Sequence, residues 1–280
     1  MRIGAVSYLN TKPLVYRLSE LAPAHELTFD LPSRLADDLA AGRLDVALIP
    51  SVEFFQNPEY TIVSDACIAC RGPVRSVKLF SRTPLSAIRT LALDEGSRTS
   101  VALVQILLRE RFGIAPQLVP FPIDAAPEAI TADALLMIGD RAMRAPKNGF
   151  VAEWDLGDVW CRWSELPFVF AMWVASRVGS QPARLSELAT LLGNSRDLGV
   201  ANLEQIAESE HEAVGLSYQD CLTYLRDHLH FHLGPRELAG LKLFQEHAAK
   251  LGLAPSETRL GWPDELVGRA PPFPLPLGEG

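Results

Sequence analysis

The sequence is poor in cysteine, poor in basic charge relative to acidic, and has no long apolar run. Its four cysteines among 280 residues are Cys67, Cys70, Cys161 and Cys221. A zinc site built on the C-x-x-C of Cys67 and Cys70 needs a second pair at similar spacing, and none exists. A redox pair is expected at a helix start, whereas these two sit in a strand-like stretch, so they read as buried reduced thiols. Lys and Arg number 26 against 34 Asp and Glu, a net charge of -8. That balance excludes a general nucleic-acid binder, because neutralising phosphates needs a basic face. No stretch approaches the roughly 18 apolar residues of a membrane span. The longest apolar run, residues 166–175, reads as a buried strand. The opening apolar run is broken at once by Tyr8, Asn10 and Lys12, unlike a secretory signal, and the expectation is a cytoplasmic protein. Walker, dinucleotide-binding and nucleophile-elbow glycine patterns are absent, as is a Ser-His-Asp order.

What is present suits a folded α/β protein. The hydrophobic fraction is 48%, and 280 residues suffice for a substantial core. Short apolar runs alternate with helix-like segments. Strands are expected over 3–6, 26–30, 45–49 and 77–81, then over 90–93, 117–119, 134–138 and 168–174. Helix caps are expected from Asn10, Ser33, Ser51 and Ser97. After residue 182 the texture turns helical, with a capping-box pattern at Ser217 and Asp220 and a helix opened by Gly234 and Pro235. The βαβ alternation implies parallel strands with right-handed crossovers. The chain builds one lobe, crosses near 82–89, returns near 168–174, and ends with helices on the first lobe. Lobe 1 is then 1–85 plus 174–270, lobe 2 is 86–173, and 271–280, with its four prolines, is an unstructured tail. A cleft between two such lobes is a standard place for a small ligand.

Four polar loops follow strand ends and would face that cleft. They hold Tyr8, Leu9 and Asn10; Ser51 and Glu53; Ser97, Arg98, Thr99 and Ser100; and Gly139 and Asp140. The third is the most telling. It leads into a long helix, whose start offers unpaired N–H groups and a partial positive charge, and hydroxyls surround it. Anion binding and plain capping by Ser97 both fit. Asn10 either caps the first helix or points into the cleft, where an amide can donate. Ser76 precedes a strand near the hinge and is either edge polarity or a site residue. His228, His230 and His232 lie at an expected helix end and lack the glutamate of a zincin pattern, so no metal is assigned. The residues alone give a two-lobed cleft protein for a small anion, and no reaction.

Several blocks together resemble the chorismate dehydratases of futalosine-dependent menaquinone biosynthesis. They are IGAVSYLNTKPL at 3–14, DVALIPSVE at 45–53, GPVRSV at 72–77, SRTS at 97–100 and LPFVFAMW at 166–173, with Asp155, Leu156, Gly157 and Trp160 between the last two. Tyr224, Gly240 and Phe244 fit the C-terminal helices, so the resemblance covers about residues 1–265. It implies a two-lobed periplasmic-binding-protein-like (type II) fold used as an enzyme, a hydro-lyase that converts chorismate to 3-[(1-carboxyvinyl)oxy]benzoate and water. That reaction creates an aromatic ring, so its drive is large and no cofactor or metal is called for. The resemblance implies catalytic roles for Asn10, on the departing hydroxyl, and Ser76, on one end of the substrate. Ser97, Arg98, Thr99 and Ser100 would hold a carboxylate. Tyr8, Leu9, Ser51, Glu53, Gly139 and Asp140 complete the expected substrate contacts. Glu53 and Asp140 beside a substrate carboxylate would suffer like-charge repulsion, so a substrate carboxylate acting as its own base is the expectation. Two alternatives stand: a non-catalytic cytoplasmic sensor of small carboxylates, and the sister 1,4-dihydroxy-6-naphthoate synthase, whose histidine is replaced here by Gly139.

Overall fold

A computed structural model describes residues 1–145, 148–176 and 182–256 of the chain. Its strands are β1 (Arg2–Val6), β2 (Glu26–Asp30), β3 (Val46–Pro50), β4 (Tyr60–Cys70), β5 (Val77–Ser81), β6 (Thr90–Asp94), β7 (Gln117–Phe121), β8 (Ala134–Ile138), β9 (Ala152–Asp155), β10 (Phe168–Ser176) and β11 (His230–His232). Its helices are α1 (Leu18–Leu21), α2 (Pro32–Ala40), α3 (Ser51–Gln56), α4 (Thr99–Phe112), α5 (Gly139–Met143), α6 (Leu156–Ser164), α7 (Pro182–Ala201), α8 (Leu203–Glu210), α9 (Tyr218–Thr223) and α10 (Pro235–Lys250). A 3-10 turn covers Leu9–Val15 and a π-turn covers Tyr224–His228.

Two sheets result. One has six strands in the order β11-β4-β10-β3-β1-β2, the other five in the order β7-β6-β8-β5-β9. Burial on both faces explains the unbroken apolar runs of β3 and β10, which lie side by side at the centre of the first sheet. β2, at an edge, keeps only partial burial. The parallel pairs β1–β2, β1–β3, β6–β7 and β6–β8 are those the βαβ alternation implies. Most of the buried apolar residues form one core running through both sheets.

The change of sheet differs from the sequence expectation. β5 pairs antiparallel with β8 and β9, so the chain leaves the first sheet at 71–76, before rather than after residues 77–81. It returns through α6, and the whole of β10 belongs to the first sheet. Apolar alternation marks a strand but not its partner, and β5 is joined to its sheet only by long-range pairing. The expected tail at 271–280 lies outside the described residues.

None of the four caps expected at Asn10, Ser33, Ser51 and Ser97 forms. The 3-10 turn at Asn10 and helices α2 and α3 have no side-chain cap. The Ser33 hydroxyl donates instead to the Glu95 carbonyl at 3.0 Å, and that of Ser51 to Val169 at 2.8 Å. The first bond runs between the two halves of the molecule and the second to β10, the neighbour of β3 in the same sheet, so tertiary partners displaced local ones. The Ser217 cap is present, with its hydroxyl accepting from the Asp220 N–H at 3.0 Å. His230 and His232 fall in β11, paired with β4, rather than at a helix end, because the helical run stops at His228. Cys67 and Cys70 are free and buried in β4, as expected, and burial pushes both thiols well above their ordinary range. Among the described residues no helix is long and apolar enough to cross a membrane.

Candidate active site

A cleft opens between the two sheets, with about 510 Å³ of space when the solvent at its mouth is counted. Its walls are apolar where Val6, Pro50, Ile68, Val77, Ile138 and Phe170 line it. Its polar groups gather at two ends.

One end is the start of α4. No side chain caps this helix, and no acidic residue sits in its first turn. The first turn therefore keeps backbone N–H donors and its positive end toward the cleft, lined here by Ser97, Arg98, Thr99 and Ser100. Ser97 is not the cap, because the helix begins at Thr99. Thr99 is already engaged: its hydroxyl accepts from the Val52 N–H at 3.2 Å and meets that of Ser51 at 3.3 Å. Arg98 is neutralised by Glu53 at 3.1 Å and Asp37 at 2.7 Å. The donors left for a ligand at this end are mainly neutral.

Asp94 holds this end together. Its buried carboxylate accepts from the N–H groups of Gly96 at 3.0 Å and Ile138 at 3.1 Å, and from Arg141 at 2.8 and 2.6 Å. Burial pushes its carboxyl up while Arg141 pulls it down, and the net direction is up. Asp94 thus ties the turn before α4 to the end of β8. There Gly139 stands at φ +63, and a Cβ on it would lie 2.8 Å from the Tyr8 ring. A side chain at 139 is opposed both by backbone strain and by Tyr8. Burial pushes the Tyr8 phenol above its ordinary range.

Leu9 and Asp140 serve the frame rather than the cleft wall. The Asp140 carboxylate accepts from the Leu9 N–H at 3.2 and 3.3 Å, joining the 3-10 turn to α5. Burial raises its carboxyl. Ser51 and Glu53 likewise stand behind the wall, bound to Thr99 and Arg98.

The other end is Asn10 and Ser76. The buried Tyr224 donates its hydroxyl proton to Ser76 Oγ at 2.8 Å, and Asn10, whose amide carbonyl accepts from the Thr11 hydroxyl at 3.4 Å, lines the cleft with Ser76. The loop before Ser76 is held in an unusual shape. Arg75 has φ +62, and the N–H groups of Val74 and Arg75 both donate to the Asp155 carboxylate, at 2.9 and 2.6 Å. From the other side Glu237 pairs with Arg71 at 2.9 Å, and His228 Nδ1 lies 2.9 Å from the Pro73 carbonyl.

The structure therefore places Tyr8, Asn10, Ser76, Ser97, Arg98, Thr99, Ser100 and Gly139 on the cleft wall, and Leu9, Ser51, Glu53 and Asp140 immediately behind it. Sequence reasoning missed Asp94, Asp155, Tyr224 and Glu237 as supports. Asp155 carried a usable signal, an aspartate at a helix N-cap, where it accepts from the Asp158 N–H at 3.1 Å. Tyr224 carried none. No group of His, Cys, Asp and Glu among the described residues has the arrangement of a metal centre.

Two mixed sheets, two crossings and a donor-lined cleft between them define a two-lobed periplasmic-binding-protein-like fold. A crystal structure from Archaeoglobus fulgidus is similar at a TM-score of 0.75 and 16% identity, over 90% of this chain and 97% of its own. The periplasmic aliphatic sulphonate binding protein of Escherichia coli is similar at 0.63 and 16% identity, over 100% and 97%. At these identities the likeness speaks to fold alone. The chain belongs to the menaquinone biosynthesis family, whose model matches residues 1–250. The chorismate dehydratase of Thermus thermophilus is 30% identical over 90% of this chain and 96% of its own length. The family makes this chain an enzyme acting on a small molecule.

Proposed function

We propose that the chain is a chorismate dehydratase, a hydro-lyase that converts chorismate to 3-[(1-carboxyvinyl)oxy]benzoate and water in the futalosine route to menaquinone, acting in the cytoplasm. The observation that carries this reading is the two-ended cleft, which offers donors at both ends and apolar walls between, in a chain similar to the Thermus enzyme.

Chorismate is a dianion with a ring between its charges. One carboxylate binds at the start of α4, on backbone N–H groups and the Ser97 and Ser100 hydroxyls. The ring lies along the apolar wall. Asn10 donates to the departing hydroxyl, and Ser76 donates to the other end of the substrate. A C–H and a C–O bond break, the ring becomes aromatic, and the proton and hydroxide leave as water. The enolpyruvyl carboxylate of chorismate takes the ring proton. In support, Glu53 and Asp140 are each bound by protein partners behind the wall, Glu53 by Arg98 and Asp140 by the Leu9 N–H. Orientation is the protein's main contribution to that transfer.

The sister naphthoate synthase reaction is disfavoured by position 139, where the positive φ and the Tyr8 ring leave no room for a histidine. Incubating purified protein with chorismate, with ultraviolet and chromatographic detection, tests the reading. Appearance of the aromatic product is expected. Unchanged chorismate despite tight binding would make the protein a sensor, and turnover of cyclic dehypoxanthine futalosine alone would make it the sister enzyme.

A further inference from the structure

The geometry points to Tyr224 as a positioning residue that sets the hydrogen-bond polarity of Ser76, turning it into a donor toward the substrate. This inference rests on the dehydratase reading and deepens it.

A phenol has one proton to give and otherwise only accepts. The Tyr224 proton is committed to Ser76 Oγ at 2.8 Å. The Thr11 hydroxyl, 3.4 Å from Asn10 Oδ1, donates to the amide carbonyl and leaves the NH2 of Asn10 for the cleft beside Ser76. Ser76, with one lone pair occupied by Tyr224, turns its own hydrogen toward the cleft that it lines. A reversed amide would present a lone pair to a departing hydroxide and repel it.

Tyr224 itself is fully buried and does not reach the cleft wall, so it acts through Ser76. Burial raises its phenol far above neutral pH, which keeps the proton in place. Its backbone begins the π-turn Tyr224–His228, and such turns recur where a helix must aim a functional side chain. The relay joins two chain segments, the loop before β5 and the π-turn after α9.

The test measures chorismate turnover for the full-length native chain, Tyr224→Phe, Ser76→Ala, Asn10→Ala and the pairwise doubles with Tyr224→Phe. Tyr224→Phe is expected to lower kcat by about 10- to 100-fold with unchanged unfolding temperature. Because Tyr224 acts through Ser76, its factor shrinks in the Ser76→Ala background and persists in the Asn10→Ala background. Where turnover in a double variant is too slow, calorimetric affinity for the product gives the same cycle. Undiminished kcat in Tyr224→Phe, or an equal factor in every background, overturns the inference while the dehydratase reading stands. A native chain that neither turns over nor binds chorismate overturns that reading and the inference with it. Should Tyr224→Phe fail to fold, fluorotyrosine at 224 keeps the shape and changes only donor strength. An altered kcat is then expected, and an unchanged one overturns the inference.

Discussion

The two ends of the cleft are built by opposite means. The α4 end comes from one short stretch, Gly96 to Ser100, and its donors are backbone groups that any uncapped helix start would present. The Ser76 end is assembled from Asn10, Ser76 and Tyr224, far apart in sequence, and braced by Asp155 and Glu237. A local anion grip needs little support beyond Asp94 below its turn. A donor pair that must face one way needs partners that dictate its protons, and only long-range packing brings these together. The difference teaches that binding charge is the simpler task for this fold and aiming neutral donors the harder one.

Charge makes the same point. A net charge of -8 suggests a poor host for a dianion, and Arg98 on the cleft wall is paired with two carboxylates. Neutral donors at both ends can still hold the substrate, because hydrogen bonds to a charged group are among the stronger ones.

The sharpest break in the comparison is Asn10→Ala. Removing the amide at the harder end is expected to cost about 10²- to 10³-fold in kcat, read by chorismate turnover. The Tyr224→Phe loss described above is the next in size. A stability effect should then appear at the same end. Burial, and after it the Arg71 guanidinium, push His230 from its ordinary 6.5 down to about 4. Glu237, which pulls the other way, is already held by Arg71. As pH falls below 6.5 the unfolded chain takes up a proton on His230 that the folded chain refuses. Stability from this group is therefore complete above pH 6.5 and is lost as pH falls toward 4. The loss is on the order of 3 kcal/mol at most. Urea midpoints at pH 7 and 4.5 should differ less for His230→Leu than for the native chain. The smallest effects belong to the carboxylates behind the wall. Glu53→Gln and Asp140→Asn should each keep turnover within about fivefold, or about 1 kcal/mol of barrier. Collapse of activity in either, with binding intact, would make that carboxylate the base.

Legibility follows the same division. Strand runs such as β3 and β10 and the hydroxyl-rich approach to α4 were readable, because burial and a cluster of hydroxyls before a helix leave marks in adjacent residues, whereas the start at Thr99 and the positive φ of Gly139 were not. The partner of β5 was not, since antiparallel pairing with β8 leaves no local trace. Nor were the true partners of Ser33 and Ser51, whose hydroxyls look like caps yet bond carbonyls far away in sequence. Asn10 and Ser76 were open candidates to which family likeness gave roles, and a buried tyrosine in a helical stretch is indistinguishable from packing until its hydroxyl is seen on Ser76.

A crystal structure with 3-[(1-carboxyvinyl)oxy]benzoate bound tests the two-ended grip most directly. The expected result has one carboxylate within hydrogen-bonding distance of the N–H groups at the start of α4 and the other end of the ligand against Asn10 and Ser76. A product lying outside this cleft, or one whose two carboxylates both avoid the α4 start, would contradict it.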